Sequence, residues 1–196
     1  LSDLCTLGFG KTFNAKGTQV ILSDDSATFR CMKNRTYKRH TLLYLSALQL
    51  LALAIRPAAT LAADRITEAE RRQLLARFEW PGAIPLDDIF HLVCKHVGLR
   101  PLQAILEEAG KLALWGYYFS FYQNGDRSTN LLNQKSLCAF RFLQKGDAQG
   151  FADGLSGCYG HILNVVRDFL VTCGLPEAAK LKTPEDRSGE EKSTGS

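Results

Sequence analysis

The chain has 196 residues, 45% of them apolar, which suits a single domain with a real core and excludes a disordered chain or a disulfide-dense miniprotein. Its net charge of +4 is unevenly placed: residues 1–40 carry seven Lys/Arg against three Asp/Glu, residues 41–175 thirteen against twelve, and residues 176–196 four against five. The excess lies in the first forty residues, so it points to one spot of contact with a polyanion or an acidic surface rather than to a uniformly basic protein.

Residues 11–32 read as strands. Residues 18–22 (TQVIL) and 27–32 (ATFRCM) are runs of strand length rich in β-branched or apolar side chains. Ser23-Asp24-Asp25-Ser26 between them is turn chemistry, because short polar side chains bond their own backbone. Asn14-Ala15-Lys16-Gly17 is a second turn, so the expectation is a hairpin, or a small three-stranded element with one more strand before Asn14.

Arg30, Lys33, Arg35, Lys38 and Arg39 follow, with Tyr37 among them, His40 at the end and no acid. This is the densest positive stretch of the chain. Residues 41–55 then carry no charge. An uninterrupted run of this length falls short of the roughly twenty residues that span a bilayer, and Arg56-Pro57 interrupts it, so a buried core helix without a membrane span is expected.

The rest is helical in pattern. Thr67 and Glu70 form a capping box that opens a helix to about Glu79. Pro85, Asp87 and Asp88 start the next, with Leu86, Ile89, Phe90, Val93 and Val97 along one face. Gly98 ends it and Pro101 opens another, which runs into an aromatic cluster of Trp115, Tyr117, Tyr118, Phe119, Phe121 and Tyr122. Asn124-Gly125 is read as its stop, and residues 128–130 as the cap of a further helix reaching Gln144. Gly150, Gly154, Gly157 and Gly160 each cost a helix about 1 kcal/mol relative to alanine, so an irregular stretch is expected over residues 147–157 with the final helix starting near Cys158. Cys173-Gly174-Leu175-Pro176 stops that helix. The segment beyond Pro176 has little apolar content and reads as a disordered polar tail.

The expected architecture is therefore mainly α: a helical bundle with an N-terminal β-hairpin or small three-stranded β element. Its parts are a hairpin and basic segment over 1–40, a helical core over 41–175 and a tail over 176–196, all in one domain.

Three constellations invite catalytic or metal readings. Gly8-Phe9-Gly10-Lys11-Thr12 resembles part of a phosphate loop, but Cys5 stands where the pattern needs glycine and strand-like sequence follows Thr12. His91, Cys94 and His96 do not share one side of a helix, so one helix cannot bring all three to one ion. Cys158 and His161 sit three apart, with Asp168 beyond, but no motif of a thiol nucleophile surrounds them. No metal or cofactor is expected from these patterns. Six scattered cysteines without a close pair point to free thiols and a reducing compartment, cytoplasm or nucleus. The sequon at Asn34 would matter only in a secreted chain. The chain opens at Leu1 rather than Met, as a processed product or an excised domain does.

The leading functional expectation is a non-enzymatic nucleic-acid-binding protein that packs against copies of itself, as a nucleoprotein or coat subunit does. Arg30, Lys33, Arg35, Tyr37, Lys38 and Arg39 would contact single-stranded nucleic acid with little regard to sequence. The aromatic cluster reads either as a large core cluster or as a surface, in which case Trp115, Tyr118 and Tyr122 would stack on bases or serve between subunits. The alternatives are a protein-interaction domain whose basic patch docks an acidic partner, and an enzyme using a cysteine or histidine.

Overall fold

The computed structural model describes the backbone of residues 10–13, 17–20, 35–78, 85–172 and 174–180, and the side chains of residues 39, 41–78, 85–113, 131–172 and 174–180. The described part is mainly helical. Two short strands, β1 (Gly10–Phe13) and β2 (Gly17–Val20), run antiparallel with Gly10 opposite Val20 and Phe13 opposite Gly17. Of the pairing expected one step later, residues 18–20 belong to β2, and residues 21–22 and 27–32 lie outside the described residues. Five α-helices follow among the described residues: α1 (Arg35–Ala63), α2 (Glu68–Arg77), α3 (Pro85–His96), α4 (Arg100–Gln144) and α5 (Ala148–Thr172), and then a 3-10 helix (Pro176–Lys180).

Helix α1 organises the core. Leu45, Leu48, Leu51, Ile55, Ala58, Ala59 and Ala62 are buried along one side, where they meet α5, α4 and α3. Helix α5 runs antiparallel to α1. Ser156 Oγ donates to the Ala52 carbonyl at 3.4 Å, and Arg56 pairs with Asp153 at 2.6 Å. The second half of α4 and α5 form an antiparallel hairpin through Gly146, whose φ of 75° is the left-handed stop that glycine supplies at no steric cost. Gly98 and Gly174 end α3 and α5 in the same conformation, at φ of 72° and 87°.

Three sequence expectations are corrected, at Asn124-Gly125, after Asp147 and from Pro176. The interruption of the uncharged run at Arg56-Pro57 leaves α1 helical to Ala63, with Pro57 inside. A proline deprives the carbonyl four residues earlier of its partner. Here that residue is Leu53, and Leu53 and Pro57 both lie on the exposed side, where water can satisfy the carbonyl. Asn124-Gly125 does not stop α4, and residues 128–130 lie in its interior rather than at a cap. The local cost of Asn and Gly in a helix is about 1–2 kcal/mol, which cooperative propagation from good flanking turns outweighs. The glycine-rich stretch after Asp147 is helical from Ala148. Burial decides that case: Phe151, Ala152, Leu155, Cys158, Tyr159 and Leu163 repeat at helical spacing and are all buried. The tail expected from Pro176 begins instead with the 3-10 helix, which buries Ala178 behind a buried Leu175. Residues 181–196 lie outside the described residues.

One end of the bundle is tied by arginines. Arg71 is half-buried and donates to three carbonyls, Leu143 at 2.8 Å, Ala63 at 3.2 Å and Ile66 at 3.3 Å. It thereby joins the C-terminal ends of α1 and α4, where carbonyls lack helical partners and cations are favoured. Arg65 does the same for α3 through the His96 carbonyl at 3.3 Å.

Candidate nucleic-acid interface

The basic segment does not stand apart from the core helix. Arg35, Tyr37, Lys38, Arg39 and His40 belong to the opening turns of α1, which carry no acid. Arg39 is exposed. The side chains of Arg35, Tyr37 and Lys38, and the whole of Arg30 and Lys33, lie outside the described residues. A helix start presents unpaired amides and the positive end of the macrodipole. Cations there are disfavoured unless an anion joins them, and phosphate suits such a start well. Immediately after this segment Thr41 is buried, and so are Tyr44 and Leu45, so the helix that carries Arg39 at its exposed start goes on to anchor the core. Burial pushes the Tyr44 phenol well above its ordinary range, so Tyr44 stays neutral.

The expected aromatic interface residues Trp115, Tyr118 and Tyr122 lie within α4 by backbone, and their side chains are outside the described residues.

The histidine–cysteine group on α3 divides among separate roles. His91 is exposed and packs beside Phe90, with ring centroids 6.0 Å apart. Cys94 is buried, and burial pushes its thiol up to about 12. His96 Nε2 lies 2.9 Å from Glu70 Oε1, which also accepts from Lys95 Nζ at 2.6 Å. The other Glu70 oxygen accepts from the Thr67 amide at 2.9 Å and the Thr67 hydroxyl at 2.8 Å, and the Glu70 amide donates back to Thr67 Oγ1 at 3.3 Å. Lys95 first, then His96 and the Thr67 amide, hold the Glu70 carboxyl far below the usual carboxylate range. The capping box read from sequence is therefore also the ionic tie between α2 and α3. Among the described residues no three His, Cys, Asp or Glu side chains gather as metal ligands.

Cys158 is buried between helices. Its Sγ lies 3.9 Å from the Ser136 hydroxyl, which donates to the Leu132 carbonyl at 2.8 Å. Burial raises its thiol to about 11, so at neutral pH it stays protonated. A nucleophilic cysteine needs the opposite: an electropositive, accessible setting that favours thiolate. Cys94, Cys138 and Cys158 are all free thiols, and Cys138 is exposed.

No family model, curated protein or solved structure matches this chain.

Proposed function

We propose that this chain is a non-enzymatic nucleic-acid-binding protein that associates with copies of itself, in a reducing compartment, cytoplasm or nucleus. Phosphates would be held by Arg30, Lys33, Arg35, Lys38 and Arg39, with Tyr37 available to stack on a base and the N-terminal β element beside them. The observation that carries this reading is the start of α1. Three cations, Arg35, Lys38 and Arg39, occupy the opening turns of a helix that has no acid there. Helix dipole, free amides and guanidinium groups would all act on the same anion, and a row of phosphates offers one at each step. Binding of this kind fixes register on the backbone and carries no base information.

The first test is what accompanies the protein through purification at low salt. The ultraviolet absorbance ratio should indicate carried-over nucleic acid and should fall to the value of pure protein after a high-salt wash. A ratio at the pure-protein value throughout would turn the patch over to an acidic protein partner.

A further inference from the structure

Helix α1 has a second face, opposite the core. Arg39, Leu43, Ser46, Leu50, Leu53, Pro57 and Thr60 of the helix, with Asp64 in the turn just after it, are all exposed. Their spacing alternates four and three along the chain, the period of a helix-pairing seam. Leu43 is 51% exposed and Leu50 42%, high for leucines on a helix that is otherwise a core element. Neither Arg39 nor Asp64 has an ion pair within the described residues.

We infer that this face is the contact by which two copies of the chain pair, α1 against α1 and antiparallel. The row matches itself when reversed. A two-fold axis midway between Leu50 and Leu53 sets Leu50 of each copy against Leu53 of the other, Leu43 against Thr60, Ser46 against Pro57, and Arg39 against Asp64. An isologous contact requires this self-complementarity, and here it includes charge: a cation at one end of the row meets an anion at the other, twice. Parallel pairing would set like charges together. An anionic membrane surface suits the row less well, because Asp64 would face it and Ser46 and Thr60 interrupt the apolar surface. The strip from Arg39 to Asp64 is about 38 Å long by the helical rise. At the width of one helix contact it covers on the order of 400 Å² per copy, about half of a standard interface, so the pairing is a weak one read over a range of concentrations.

This inference deepens the self-association part of the proposed function and shares Arg39 with the proposed phosphate contact, so its test is run on nuclease-treated protein. Sedimentation velocity between about 5 and about 500 µM should show a monomer–dimer equilibrium. Arg39→Glu or Asp64→Arg alone should weaken it about tenfold, since each change replaces two attractions with two repulsions. The double variant Arg39→Glu/Asp64→Arg should return to within about twofold of the original, a rescue that damage to the fold cannot produce. Leu50→Lys with Leu53→Lys should abolish dimerisation while leaving the circular dichroism spectrum unchanged. A chain that stays monomeric at the highest concentration, or a dimer indifferent to the charge reversals, overturns the inference. Either result would leave phosphate binding by the start of α1 standing.

Discussion

Glu70 concentrates more of this protein's polar bonding than any single motif in the sequence suggests. It closes the capping box with Thr67 and receives Lys95 and His96 from α3. Its pKa is depressed in the fold, chiefly by Lys95. A depressed carboxylate contributes stability that is fully present above its unfolded pKa of about 4.3 and is lost as pH falls below that value toward the folded one. Glu70→Gln should therefore cost about 1 kcal/mol near neutral pH. The gap between wild type and variant should close as the solution is acidified below the ordinary carboxylate pKa. Urea denaturation at neutral pH and in acid measures both, and a gap that persists undiminished in acid would deny the ionic tie. The capping box is legible in sequence, because its two partners are three residues apart. Lys95 and His96 are not, since they meet Glu70 only through tertiary packing.

At the scale of elements, the glycines of α5 are the sharpest lesson. Their number predicts an irregular stretch, yet the segment is helical because its buried face repeats at helical spacing. The four glycines are not equivalent. A Cβ on Gly154 would lie 2.7 Å from Ala139 Cβ and 2.9 Å from its Cα, whereas a Cβ on Gly157 would meet nothing within 4 Å. Gly154→Ala must push α4 and α5 apart and should destabilise by roughly 1–3 kcal/mol. Gly157→Ala should stabilise by about 0.5–1 kcal/mol through helix propensity alone. Thermal or urea unfolding of the two variants checks both signs, and a destabilised Gly157→Ala or a neutral Gly154→Ala would contradict the packing. Elsewhere the punctuation is plain: Thr67, Pro85, Gly98, Gly146 and Gly174 mark helix ends in sequence and in structure. Asn124-Gly125 misleads because a local breaker acts within surroundings that can override it. The exposed leucines of α1 are hidden for a related reason. In a run as apolar as Thr41–Ala63, the side chains that face the core and those that face away look alike until neighbours are placed.

The whole molecule combines a neutral helical core with a positive start to its central helix. The thiols Cys94 and Cys158 are held protonated by burial, and the histidines of α3 serve a surface position and an ionic tie. The chemistry proposed for the basic segment is attraction of anions, and its readout is salt. Fluorescence anisotropy of two unrelated single-stranded oligonucleotides, titrated with the protein at several salt concentrations, tests this most directly. Wild type should bind both with similar affinity, and the logarithm of affinity should fall linearly with the logarithm of salt. In Lys38→Ala/Arg39→Ala the slope should flatten by about 0.7 to 0.9 for each phosphate that the variant no longer neutralises, with stability barely changed. Absence of binding by the wild type even at the lowest salt would contradict the account.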